Sequence, residues 1–173
     1  EALEAELEKS REARDAKKVA LDKAEADEST KEEAVGQAEK DLEVAEAKVN
    51  LAEKEEDAGK SADVSGAEGG VDLAKKALEV AKAKLELSEA LRELAEAQAE
   101  EAQDEWLAAA AKVELAKLEA MGGEGSEHAE RKKKFQEQLA DANIKHKKAE
   151  EAEAEAQKHV DAAREELSDV AGG

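Results

Sequence analysis

The sequence predicts an all-α protein, an elongated antiparallel three-helix bundle with coiled-coil-like packing. Three observations predict this fold: a composition dominated by helix formers, two glycine-rich segments that separate three long stretches, and apolar residues spaced alternately by three and four. The spacing is decisive, because a disordered acidic chain has no reason to keep it over several heptads.

The composition excludes most other fold classes. Alanine supplies 40 and glutamate 36 of the 173 residues, and both favour helix. There is no Pro, Cys or Tyr, and only one Phe and one Trp, so residues that form strands are too scarce for a sheet. Alanine cannot fill a wide interior, and the shape is therefore expected to be thin.

Glycine concentrates in residues 58–71 and 122–126, which we predict to be loops. We expect one domain over residues 1–173, built from helices at about 1–57, 72–121 and 127–170. At 1.5 Å per residue these would be roughly 65 to 85 Å long, and such matched lengths favour antiparallel neighbours. Asp72 and Ser126 are the predicted N-caps of the second and third helices, and Gly122 is the predicted closing residue of the second.

We use the word seam for a run of core-facing positions spaced alternately by three and four. The third helix has a seam at Phe135, Leu139, Ala142, His146, Ala149, Glu153, Ala156, Val160, Ala163, Leu167 and Val170. The second half of the first helix has one at Val35, Ala38, Leu42, Ala45, Val49 and Ala52. Both patterns predict helices that are buried along one narrow face.

The second helix has a broader apolar face than the other two. Its seam consists of Ala74, Leu78, Ala81, Leu85, Ser88, Arg92, Ala95, Ala99, Ala102, Trp106, Ala109, Val113, Ala116 and Ala120. A neighbouring stripe adds Leu73, Ala77, Val80, Leu87, Leu91 and Leu94. Because this face is wider than one partner can cover, we expect the second helix to contact both others.

The first half of the first helix has weaker periodicity. Its apolar residues drift from the seam spacing at Leu3, Leu7, Ala13, Ala16, Ala20 and Ala24. The polar run 27–33 then interrupts the seam, and Thr30 with Glu33 has the spacing of a capping box. An uninterrupted helix with a polar patch is the favoured interpretation, and a break near 27–33 is the alternative.

No motif in the chain predicts chemistry, and we expect no catalytic, cofactor-binding or metal-binding residues. Residues 58–61 (AGKS) end like a phosphate loop, but position 54 is Lys where that motif needs Gly, and a helix precedes it. His128, His146 and His159 lack the ExxH and HExxH spacings of metal sites. His146 lies on a seam, where a lone polar residue more often fixes register than binds a ligand.

Three further features favour structural over functional interpretations. The carboxylates at 150–155 are too abundant to indicate acid or base catalysis and are expected to face water. The basic residues at 131–134, with Lys145, Lys147 and Lys148, are expected to pair with acidic faces of the other helices. Trp106 is expected to fill the core where the bundle widens, with a surface hot spot as the alternative.

A resemblance follows from the glutamate and alanine repeats, such as AEEAEAEA at 149–156 and LAEAQAEEA at 94–102. In these stretches and in overall composition the chain resembles the glutamic acid/alanine-rich surface protein family of Trypanosoma congolense. The resemblance implies a non-enzymatic coat protein on the outer face of the plasma membrane, held by a glycosylphosphatidylinositol (GPI) anchor, with no catalytic residues. The chain begins at Glu1 without a hydrophobic segment, as expected of a fragment of a longer protein.

The sequence leaves two other functions open. One is a surface receptor or adhesin that binds a host ligand through an exposed patch, and the other is a designed or spacer bundle. Partners expected of a coat protein are its neighbours in the coat or further copies of itself, together with antibodies or host molecules. The net charge of −20 argues against nucleic acid, and no apolar run approaches the roughly 18 residues that a membrane span needs.

Overall fold

The computed structural model describes residues 1–172, and all of its regular structure is helical. The chain forms three helices: α1 at Ala2–Asp57, α2 at Val64–Met121 and α3 at Ser126–Gly172. The prediction of an all-α three-helix bundle is confirmed. α1 is continuous through residues 27–33. The Thr30 hydroxyl donates to the carbonyl of Ala26 (3.0 Å) inside the helix, so it does not cap a new one.

The chain divides into two compact units, and the prediction of one domain over 1–173 stays a prediction. Unit 1 contains residues 1–24 and 91–158, and unit 2 contains residues 25–90 and those from 159 onwards. In unit 1, Lys112 of α2 contacts Glu6 of α1 (3.3 Å), while Lys17 contacts Gln98 (3.5 Å). Numbers rise in α1 as they fall in α2, so the two helices are antiparallel.

α2 also packs antiparallel on α3 in unit 1, where Lys132 contacts Glu119 (3.8 Å) and Gln98 donates to Glu153 (2.9 Å). The expectation that α2 contacts both other helices is therefore confirmed. In unit 2 the buried hydroxyl of Ser88 on α2 donates to Asp27 of α1 (2.6 Å).

The predicted loop at 58–71 is too long, and the prediction of Asp72 as the N-cap of α2 is wrong. α2 begins at Val64, and Asp63 is its N-cap: the Asp63 carboxylate accepts from the amide of Gly66 (2.9 Å), and its carbonyl accepts from Ala67 (3.1 Å). Asp72 lies exposed inside α2. The glycines that suggested a loop are tolerated in the first turns of a helix whose later turns are well packed.

The second loop spans 122–125, one residue shorter than predicted. Gly122 adopts the left-handed conformation expected of a closing residue (φ 60°). Ser126 is the first helical residue of α3 and not its cap, because the carbonyl of Gly125 accepts the first helical hydrogen bond, from Ala129 (3.1 Å).

The core is made mainly of alanine. Eleven of the fourteen buried apolar residues among residues 1–172 are Ala, and the others are Val113, Leu118 and Val160. The predicted α3 seam is confirmed, since from Phe135 to Val170 every residue that is not exposed belongs to it. α1, which the structure describes throughout, has no buried residue and contributes only a half-buried face.

α2 has two seams, of which the sequence predicted one in full sequence spacing and, in its neighbouring stripe, two residues of the other, Leu87 and Leu94. The predicted seam contains Ser88 and Trp106, which contact α1. The second, which includes Glu101 and faces α3, consists of Ala83, Leu87, Ala90, Leu94, Ala97, Glu101, Asp104, Ala108, Ala111, Leu115 and Leu118. The predicted stripe is wrong at Leu73 and Ala77, which are exposed. Two acidic residues at seam positions concealed the second pattern.

Candidate functional site

Polar residues replace apolar ones at one level of the α2 and α3 interface in unit 1. We call this group the His146 cluster: Glu101 and Glu105 of α2 with His146, Glu150 and Glu153 of α3. On α3, His146 lies between the buried residues Ala142 and Ala149, one heptad apart, and Glu101 lies on the α3-facing seam of α2. The helices that form the bundle therefore bring the cluster together.

The imidazole of His146 is surrounded by carboxylates on both edges. Its Nε2 atom lies 3.2 Å from Glu105 Oε1 and 3.4 Å from Glu101 Oε1, and its Nδ1 atom lies 3.8 Å from Glu150 Oε1. The side chains of His146 and Glu101 are 24% and 22% exposed, whereas those of Glu105 and Glu150 are about half exposed. The cluster is thus partly desolvated at its centre and open to water at its rim.

The carboxyl groups of Glu101 and Glu153 meet across the helix interface in a hydrogen bond that shifts the pKa of both. A hydrogen bond to Glu153, burial and the charge of Glu153 raise the pKa of Glu101 to about 7, although the charge of His146 opposes this shift. The same hydrogen bond, a second one from Gln98 and the charge of Lys17 lower the pKa of Glu153. Glu101 is therefore the donor and Glu153 the acceptor, and two carboxyl groups lie side by side without full repulsion.

Asp104 lies one turn beyond Glu101 on the same seam and is buried, with 8% of its surface exposed. Burial raises its pKa, as does the nearby charge of Asp141, while the charges of Lys145 and His146 lower it. Excess carboxylate is thus a property of this whole level of the interface.

The sequence placed His146 on the α3 seam, and this is confirmed. It did not detect the cluster, because the ExxH and HExxH patterns describe ligands on one helix. Glu101, His146 and Glu150 have one possible ligand atom each within 4.8 Å of the others, but they come from two helices. His128 is in the first turn of α3 and lies beside Gly123 of the loop that joins α2 to α3. His159 is exposed on α3.

The AGKS segment has a structural role at the end of α1. The amide of Gly59 donates to the carbonyl of Glu56 (2.9 Å), and the amide of Lys60 donates to that of Glu55 (2.9 Å). Together with the positive φ of Gly59 (76°), these bonds form a Schellman motif, which satisfies the last carbonyls of a helix. This geometry explains the Gly-Lys pair without a phosphate ligand.

The carboxylates at 150–155 and the basic segment at 131–134 each have more than one role in the structure. Of the carboxylates at 150–155, Glu150 and Glu153 belong to the His146 cluster, while Glu155 pairs with Lys158 (2.8 Å) on the same helix. In the basic segment, Lys132 pairs across the interface with Glu119, as expected. Lys133 pairs within α3 with Glu137 (3.8 Å), so cross-helix pairing is only part of the segment's role.

Comparison with known proteins assigns no function to the His146 cluster. Within residues 1–172, no helix combines the length and the apolar character that crossing a bilayer requires. The chain matches no protein-family model, no curated protein and no solved structure.

Proposed function

We propose that this chain is a non-enzymatic coat protein of a cell surface, an acidic helical bundle that is lipid-anchored in its full-length form. One observation carries the proposal: the helices pack through alanine, while the charged residues that give a net charge of −20 lie mainly outside. Such a protein presents a dense layer of charge, which is interrupted by single exposed apolar residues such as Leu73 and Met121.

The physical basis of a protective role is the surface and not a reaction. Small interface residues allow helix axes to approach toward the short end of the usual 8 to 10 Å range, so each molecule occupies little area. A strongly negative surface repels acidic macromolecules and limits non-specific association. Neighbouring coat molecules, or further copies of this chain, are the proposed partners.

The outer face of the plasma membrane is proposed from the sequence resemblance. The repeats at 149–156 and 94–102 resemble glutamic acid/alanine-rich surface proteins of Trypanosoma congolense, for which a glycosylphosphatidylinositol anchor is the implied attachment. A designed or spacer bundle would have the same alanine packing and acidic surface, and it would differ from a coat protein only in where it is located.

Two grooves in unit 1 bear on the receptor alternative. A groove of about 230 Å³ lies between α2 and α3 in unit 1, with Leu107 and Phe135 among its lining residues. Leu107 is 39% exposed, so the groove has an apolar wall. Its volume is below the roughly 300 to 1,000 Å³ of most small-molecule sites. The second groove is larger, about 720 Å³, but Leu21 is the one large apolar residue that lines it, so neither groove favours the receptor function.

The test is the location of the protein on cells that produce it. Antibodies raised against residues 1–173 should label intact, unpermeabilised cells, and phosphatidylinositol-specific phospholipase C should release the antigen. An antibody against a cytosolic protein is the control for membrane integrity. Labelling only after permeabilisation would overturn the surface role, and labelling that resists the phospholipase would overturn the proposed anchor.

A further inference from the structure

We propose that the His146 cluster binds one divalent transition-metal ion, with Zn²⁺ as the reference ion, through His146, Glu101 and Glu150. This site is independent of the surface role, since a coat protein needs no metal. The ion would join α2 to α3 within unit 1.

The spacing of the donor atoms carries the proposal. Zn²⁺ bonds to nitrogen and carboxylate oxygen are about 2.0 to 2.2 Å long, so tetrahedral geometry places two donors roughly 3.3 to 3.6 Å apart. The closest approach of each carboxylate to the ring is 3.4 Å for Glu101, at Nε2, and 3.8 Å for Glu150, at Nδ1, and an ion would bind one of these two nitrogens. Because all three residues have donors within 4.8 Å of one another, small side-chain rotations would complete the set.

Glu105 supplies the supporting contact that metal-bound histidines usually have. One ring nitrogen binds the ion and the other donates its proton, most often to a carboxylate or a backbone carbonyl. Glu105 Oε1 lies 3.2 Å from Nε2 of His146, and Glu150 Oε1 lies near the other nitrogen. An ion bound at Nδ1 beside Glu150 would leave Nε2 to donate to Glu105, which would orient the ring.

Charge and burial favour a cation at this position. Three carboxyl groups, those of Glu101, Glu105 and Glu150, lie within 3.8 Å of the imidazole nitrogens, and an ion would displace the proton that the raised pKa of Glu101 favours. The side chains of Glu101 and His146 are less than a quarter exposed, so attraction between their donors and an ion is less screened than at the surface. The half-exposed side chain of Glu150 leaves room for water as a fourth ligand.

The ligand set also predicts which ions bind. One imidazole with two carboxylates suits Zn²⁺, Ni²⁺, Co²⁺ and Cu²⁺, whereas Mg²⁺ and Ca²⁺ prefer oxygen ligands alone. An acidic surface that merely attracts cations would not make this distinction. Selectivity therefore separates a built site from general attraction to the net charge.

The experiment is calorimetric titration of the tag-free, chelator-treated chain with ZnCl₂, followed by CaCl₂ and MgCl₂ as separate arms. We expect one Zn²⁺ per chain, at least about 10-fold weaker binding of Ca²⁺ and Mg²⁺, and a melting temperature that rises with Zn²⁺. His146→Gln and Glu150→Gln should each weaken Zn²⁺ binding by about 10-fold or more, the scale on which lost metal contacts act.

Matched controls lie on the same helix. His159→Gln removes an exposed histidine and Glu151→Gln an exposed carboxylate beside Glu150, and both should bind Zn²⁺ as the unmodified chain does. Circular dichroism in chelator shows whether each variant folds. If His146→Gln does not fold, Glu150→Gln decides, because its side chain is 55% exposed and its loss leaves the core intact. Absence of Zn²⁺ binding, or equal binding by all four variants, would overturn the proposal.

Discussion

The guanidinium group of Arg14 on α1 lies over the indole ring of Trp106 on α2, with 4.3 Å between Arg14 Cζ and the ring centroid. The sequence predicted that Trp106 fills the core. It is instead half-buried, and a charged side chain covers its face. Alanine-lined helices approach too closely to enclose an indole, so the ring lies at the edge of the interface and Arg14 shields it from water.

Arg14→Gln should expose the ring of Trp106, the only tryptophan in the chain. Loss of the cation–π contact should lower the free energy of unfolding by about 0.5 to 1 kcal/mol and shift the fluorescence emission to longer wavelength. Arg11→Gln, which removes a charge three residues earlier, is the control and should leave the emission unchanged. Identical spectra for Arg14→Gln and the unmodified chain would show that Arg14 does not cover the ring.

The start of α2 is tested by a pair of substitutions. Asp63→Ala removes the side chain that accepts from Gly66, and should lower the free energy of unfolding by about 1 kcal/mol in chemical denaturation. Asp72→Ala changes the residue that the sequence suggested as the cap, and should have no comparable cost. If Asp72→Ala were the more destabilising of the two, the helix would begin where the sequence predicted.

The alanine interface predicts intolerance of larger side chains. Ala156 is buried on the α3 seam, and Ala156→Leu should cost about 1 to 3 kcal/mol because the helices must separate to accommodate it. Ala154→Leu adds the same atoms two residues away on the exposed face and is the matched control. Thermal unfolding of both variants measures the difference, and equal melting temperatures would contradict the packing.

A carboxyl pair in unit 2 predicts a specific dependence of stability on pH. The hydrogen bond to Glu166 and the charge of Glu166 raise the pKa of Glu86 above its ordinary value of 4.5, with smaller contributions from burial and from the charge of Glu89. The protonated form is favoured in the folded state. The resulting stabilisation is complete below pH 4.5 and is lost as the pH rises through the raised pKa.

Glu86→Gln removes this titration and keeps a donor toward Glu166. The variant should therefore gain free energy of unfolding relative to the unmodified chain as the pH rises from about 4 to about 7. Glu79→Gln makes the same change of charge elsewhere on α2 and corrects for the effect of net charge. A difference between Glu86→Gln and Glu79→Gln that stays constant over this range would refute the raised pKa of Glu86.

Sequence periodicity predicted the parts of the fold in which core positions are apolar. The α3 seam was found in full, because only His146 and Glu153 are polar in it. In the first half of α1 the predicted Ala13, Ala16 and Ala20 are exposed. The seam spacing is kept there by half-buried residues, several of them polar: Leu3, Leu7, Ser10, Arg14, Leu21, Ala24, Glu28 and Lys31. Long side chains can lie along an interface by their methylene groups, which hydropathy does not register.

The candidate site was beyond what a single sequence reveals. Glu101 and His146 are 45 positions apart, and they meet only because α2 and α3 pack antiparallel in one particular register. A shift of that register by one heptad would move one helix by about 10 Å relative to the other, and the side chains of Glu101 and His146 would no longer meet. Spacing within a helix is visible in a sequence, whereas register between helices is a property of the packed structure.

Zero-length cross-linking can test whether the helices pack antiparallel in a fixed register. Glu6 Oε1 and Lys112 Nζ lie 3.3 Å apart in unit 1, although 106 residues separate them in sequence. Carbodiimide treatment of the folded chain, followed by mass spectrometry, should join the peptides that contain Glu6 and Lys112, and Lys112→Arg should abolish the product. Cross-links from Glu6 to Lys75 or Lys76, near the other end of α2, would contradict the antiparallel arrangement.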